Sequence, residues 1–132
     1  MPRLVKGAKW TYGWAIVSTE HTITIPPEAW REYGFRAGNE ALFAPGSRRS
    51  GGFALSTPAL MAQGAQRHGR AMLRILCRGE FGEGQVVLPA EIGAKPGDRL
   101  LAVRGSRYGL GFVAQGPIYE EALKHTERLQ VY

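Results

Sequence analysis

The stretch from Gln85 to Ala114, QVVLPAEIGAKPGDRLLAVRGSRYGLGFVA, decides how this chain is read. Gln85 to Leu88 is a short run of β-formers stopped by Pro89, which has no amide hydrogen to give to a ladder. Lys95-Pro96-Gly97-Asp98 puts proline and then glycine at the centre of a turn, the order a type II turn requires. Arg99 to Arg104 and Gly109 to Ala114 then flank the Gly105-Ser106-Arg107 loop as the two arms of a hairpin.

A second version of this pattern lies upstream. Aligning Pro26 with Pro89, an offset of 63, sets Thr22-Ile23-Thr24-Ile25 against Gln85-Val86-Val87-Leu88 and Glu28 against Glu91. After a four-residue gap at Trp30 to Tyr33 the offset becomes 59. It then pairs Gly34 with Gly93, Gly38 with Gly97, Asn39 with Asp98, Gly46-Ser47-Arg48 with Gly105-Ser106-Arg107, Gly52-Phe53 with Gly111-Phe112 and Pro58 with Pro117. Glycine and proline mark places where the backbone needs particular dihedrals, so their recurrence at fixed offsets points to a tandem duplication. The expected organisation is a first repeat over 9–63, a basic connector over 64–70, and a second repeat with a C-terminal helix over 71–132. Two separate cores of half of 132 residues would each be marginal, so the halves are expected to share one core within a single domain.

Outward from the repeats, Trp10, Tyr12, Trp14 and Ile16 stand at alternate positions, the period of a strand with one aromatic face. Such a face most often packs inward, and the alternative is a stacking platform for unpaired bases. Ser18 to His21 reads as a turn. Pro27 opens a short helix through Glu32 that Gly34 ends, whereas Pro89 to Ile92 leaves room for about one turn before Gly93. Thr57, as N-cap, starts a helix over Pro58 to Gln63 ended by Gly64, and Gly116-Pro117 starts an amphipathic helix reaching about Arg128. Gly79, Gly82 and Gly84 read as hairpin glycines after Arg78.

Composition narrows the function. The formal net charge is +6, which favours polyanionic partners such as nucleic acid. The one cysteine, Cys77, excludes an intrachain disulfide and lies in the apolar run MLRILCR, where a buried small hydrophobe is expected. No HExxH, Walker A or GxSxG string occurs, and His21, His68 and His125 lack metal-helix spacing, so neither an enzyme, a metal site nor a cofactor is expected. No apolar run approaches a membrane span and no signal-like segment opens the chain, so a cytoplasmic protein without membrane contact is expected.

The run Gly84-Gln85-Val86-Val87-Leu88-Pro89-Ala90-Glu91-Ile92, followed by Gly93-Ala94-Lys95-Pro96-Gly97-Asp98 and an apolar strand, resembles the AbrB/MazE/SpoVT family of transcription regulators and antitoxins. Ile23-Thr24-Ile25-Pro26-Pro27-Glu28 with Gly34 and Gly38-Asn39 is a looser version. The resemblance implies a mostly β fold, the swapped-hairpin barrel that two chains of that family build together. Here both halves would come from one chain, a monomeric pseudo-dimer or an association of complete barrels. It also implies a DNA-binding regulator, with a protein-interaction module or antitoxin-like protein, partnered by a toxin, as the alternative. Family members join their hairpins by a short helical hinge, and those that bind DNA often carry arginine where this chain has Thr22 or Gln85 and again in that hinge; here only Arg31, in the first copy's hinge from Pro27 to Gly34, is basic. Candidate duplex contacts are therefore Arg31 and Arg78, the preferred pair, together with Arg48, Arg49, Arg104 and Arg107.

Overall fold

The computed structural model describes residues 3, 10–46, 51–69 and 74–132. Eight strands form one nearly closed antiparallel barrel accompanied by three α-helices among the described residues. In chain order they are β1 (Thr11–Ile16), β2 (Thr22–Thr24), α1 (Pro27–Glu32), β3 (Glu40–Pro45), β4 (Phe53–Ser56), α2 (Pro58–His68), β5 (Cys77–Gly82), β6 (Gln85–Val87), β7 (Arg99–Arg104), β8 (Leu110–Val113) and α3 (Pro117–Leu123). A 3-10 turn, Ala90–Ile92, stands between β6 and β7 and ends at Gly93, whose φ of 75° is left-handed. This matches the single turn expected there.

Around the barrel the strands run β1, β7, β8, β4, β3, β5, β6, β2. Residues before the connector are therefore interleaved with residues after it. β1 pairs with β7, β5 with β3, β2 with β6 centred on Ile23 opposite Val86, and β4 with β8 through Phe53 opposite Phe112. One buried cluster draws on both stretches, from Tyr12 to Phe53 and from Phe81 to Phe112. The interior holds Tyr12, Ala15, Ile23, Phe35, Phe43, Phe53, Phe81, Val86 and Phe112, all buried. Two ring groups dominate it: Phe35 stacked on Phe81 at 4.6 Å, and Phe53 stacked on Phe112 at 5.1 Å.

The C-terminal helix expected to reach about Arg128 ends at Leu123, and Thr126–Arg128 is a separate 3-10 turn. Three further sequence expectations change here. The single aromatic face of the first strand does not form, because the β1–β7 register shifts between Thr11 and Gly13. That bulge sends Tyr12 into the barrel and Trp14 to the outside, where α3 covers it and Tyr119 meets it edge-on at 5.3 Å. Both rings are buried, so neither is a platform for bases; Trp10 is 38% exposed beside the Arg3 guanidinium. Second, α2 does not stop at Gly64 but runs to His68. Gly64 is buried within it, and the stop comes at Gly69, whose φ of 86° lets its N–H reach Ala65 O at 2.8 Å. The Thr57 cap is as expected, its hydroxyl oxygen accepting from Leu60 N at 3.2 Å. Third, Gly79 is not at the turn of its hairpin but inside β5, which continues to Gly82. A Cβ at Gly79 would meet the Phe43 ring at van der Waals distance.

The C-terminal segment adds a feature the sequence reading lacked. Trp14 N–H donates to Gln130 O at 2.8 Å and Tyr132 N–H to Trp14 O at 2.7 Å, with Val131 bridged parallel to Trp14. The tail thus occupies the edge of β1 that β7 leaves free. Gly13 permits this approach, for a Cβ there would collide with the Gln130 carbonyl.

Candidate nucleic-acid interface

α1 carries the hinge side of the candidate interface. Pro27 occupies its first turn, where a missing amide hydrogen costs nothing, Glu28 lies near the positive end of the dipole, and Arg31 lies in the last turn. Ala29 faces the core, which leaves Arg31 exposed, and its side chain has no partner among the described residues. Arg36, which the sequence reading passed over, is exposed just beyond the helix.

The next helical residue fastens α1 to the barrel. Glu32 Oε2 accepts from Arg104 Nη2 at 2.6 Å and from the Tyr12 hydroxyl at 2.9 Å, joining α1, β7 and β1 at one oxygen. Tyr33 adds a bond from its hydroxyl to Ser106 O at 3.1 Å. Burial pushes the Glu32 carboxyl up, but the bonds from Arg104 and Tyr12 outweigh it and hold the group below its ordinary range. Burial first, and the Glu32 bond second, raise Tyr12 well above a free phenol. Tyr33, buried and beside the same carboxylate, is pushed up to about 12. Arg104 is raised by its bond to Glu32 and stays charged.

Glu32, Tyr33, Arg104, Gly105, Ser106 and Arg107 line one open cavity of about 300 Å3. Two guanidiniums and one carboxylate face it, so the concavity keeps a positive balance that suits a phosphate. The chain matches no protein-family model, no curated protein and no solved structure.

Of the sequence candidates, Arg104 and Arg107 come together in this cavity, and Arg31 is the neighbour of Glu32 in α1. Arg107 is exposed, its side chain unpaired among the described residues. Arg78 lies elsewhere, on β5, where its Nη1 meets Glu40 Oε1 at 3.2 Å. That pair is exposed on both sides and so holds Arg78 only weakly. Arg48 and Arg49 lie outside the described residues. Sequence reasoning missed Glu32 and Glu40, the carboxylates that occupy Arg104 and Arg78, and the only signal was their place beside the first hinge. It also missed Arg99, whose guanidinium lies 5.2 Å from the Trp14 ring centroid. Among the described residues no group of three or more His, Cys, Asp or Glu could hold a metal, and no helix is long and apolar enough to cross a membrane. Cys77 is buried, and burial raises its thiol, as suits a packing residue.

Proposed function

We propose that this chain is a duplicated swapped-hairpin barrel of the AbrB/SpoVT type that binds duplex DNA as a transcription regulator. The observation that carries the reading is the pairing of β2 with β6 and of β4 with β8. Ile23 opposite Val86 differs by the offset of 63, and Phe53 opposite Phe112 by the offset of 59, that relate the repeats. A twofold axis exchanging the halves would pass through those two pairs, and it would also exchange β1–β7 with β5–β3. In this reading the repeats interleave as two chains do in the family the sequence resembles, and one chain replaces a dimer.

Arg31 and Arg107 are the contacts proposed first, since both are exposed and unpaired among the described residues. Arg78 and Arg104 join once phosphate competes with Glu40 and Glu32 for them. A homodimer presents the same side chains twice and reads a palindrome, whereas here Pro45 corresponds to Arg104 and the residues from Trp30 to Tyr33 have no counterpart, so the two half-sites would differ. The two ion pairs favour the second reading, a protein-interaction module, because they reduce the free cationic surface. Electrophoretic retardation of a mixed-sequence duplex at low salt tests the proposal. A retarded band that competitor heparin removes supports it, and no retardation at any protein concentration transfers the assignment to the interaction module.

A further inference from the structure

We propose that the cleft beneath the 3-10 turn Ala90–Ile92 binds a small molecule built on a single aromatic ring with a cationic arm. The cleft measures about 150 Å3 and is walled by Phe53, Leu76, Ile92, Ala94 and Leu100. An apolar cavity of roughly that size accepts a benzene ring. Glu91 and Asp98 also line it, and among the described residues no lysine or arginine does, so those residues give it a negative balance.

The other half of the barrel indicates what is missing there. At the corresponding hinge Phe35 stacks on Phe81 at 4.6 Å and on Tyr33 at 5.7 Å, while Trp30 meets Phe81 edge-on at 5.6 Å. Phe35 aligns with Ala94, and Trp30 to Tyr33 have no counterpart in the second half. Gly13 faces Ala102 as Cys77 faces Phe43, so Leu76 stands where the first half has the two bulge residues Thr11 and Tyr12. One hinge is thus filled with rings, and the other has alanine and leucine in their place. The chain has not closed over the difference, and Leu76 remains 47% exposed. An incoming ring would occupy the volume that Phe35 and Tyr33 take in the first half. This comparison rests on the duplication proposed above; the cleft and its lining do not.

The test is an NMR titration of the full chain with benzylamine, phenylacetate as the charge-reversed control. Saturable shifts at Leu76, Ile92, Ala94 and Leu100 are expected, with phenylacetate about fivefold weaker, the order of one partly screened charge interaction. Ala94→Phe, which places the missing ring in the cleft, is expected to abolish the shifts. Should that variant not fold, Leu76→Tyr fills the cleft from the opposite wall and is expected to act alike. Absence of saturable shifts with benzylamine, an equal response to phenylacetate, or binding that survives a folded cleft-filling variant each overturns the site. Retardation of duplex DNA by the same samples is read alongside. Duplex binding without ring binding overturns this site alone, and ring binding without duplex binding leaves it standing while the DNA reading falls.

Discussion

Replacing Phe35 by alanine removes the ring on which the first hinge is assembled. Phe35 is 2% exposed and touches Phe81, Tyr33 and Trp30, whose centroids lie 4.6, 5.7 and 6.0 Å away. Truncating a buried phenylalanine costs about 3–5 kcal/mol through lost transfer energy and the cavity left behind. The upper part of that range applies, since three aromatic partners lose a neighbour at once and α1 is short and fastened at Glu32. Against a total stability of about 5–15 kcal/mol this is a large fraction, and it lowers the melting temperature by roughly 10–20 °C for a domain of this size. Urea unfolding followed by tryptophan fluorescence and by circular dichroism measures it, with the midpoint falling and the slope unchanged. A loss below about 1 kcal/mol would refute the idea that these rings anchor the hinge.

Gly52→Ala places a Cβ against the Phe112 carbonyl in the adjacent strand and is expected to prevent folding, while Gly34→Ala, at φ of 69° with open space around it, costs about 1–2 kcal/mol of backbone strain. Soluble yield and thermal unfolding of both variants compare them, and equal effects would contradict the packing at Gly52. Tyr33 is raised to about 12, above the ordinary phenol value near 10, so its contribution is complete below pH about 10 and fades as pH rises through about 12. Glu32 is lowered, so its contribution holds above the ordinary carboxylate value of about 4.3 and fades as pH falls below it. Tyrosine absorbance during alkaline titration checks the first, with a late phase that loses one tyrosine's amplitude in Tyr33→Phe while Tyr12 still contributes to it, and acid unfolding of Glu32→Gln against the parent checks the second. Glu40→Gln frees Arg78 and is expected to tighten duplex binding by roughly two- to fivefold at low salt, measured by anisotropy; weaker binding would count against Arg78 as a contact.

The parts of the fold that could be read in the sequence are those set by local backbone chemistry. Lys95 to Asp98 turns as proposed, with Asp98 Oδ2 accepting from Lys95 N at 2.9 Å, and the hinge at Ala90 is one turn long because Gly93 follows at once. Strand limits at Arg99 and Arg104 match for the same reason. What escaped reading depends on distant partners. Gly13 breaks the period-two pattern because the tail at Gln130 must pass over it, and nothing near Gly13 announces that tail. Gly64 looks like a helix stop, yet Thr57 caps the helix, Met61 and Gly64 pack inward, and Gly69 supplies the left-handed residue five positions later. The sequence names the arginines but not their partners. Arg104 meets a carboxylate 72 residues away and Arg78 one 38 residues away, spacings that only the interleaved strands explain.

The salt dependence of duplex affinity tests the DNA reading most directly. Each phosphate contact made by a lysine or arginine contributes about −0.9 to the slope of log K against log salt for double-stranded DNA. Fluorescence anisotropy with a labelled mixed-sequence duplex over a salt series is expected to give a slope of about −2 to −4 for the parent chain, as two to four arginines would produce. Arg31→Ala with Arg107→Ala is expected to make it shallower by about two contacts' worth while thermal unfolding stays unchanged. A parent chain with no salt-sensitive binding, or a double variant with the parent's slope, would contradict the account.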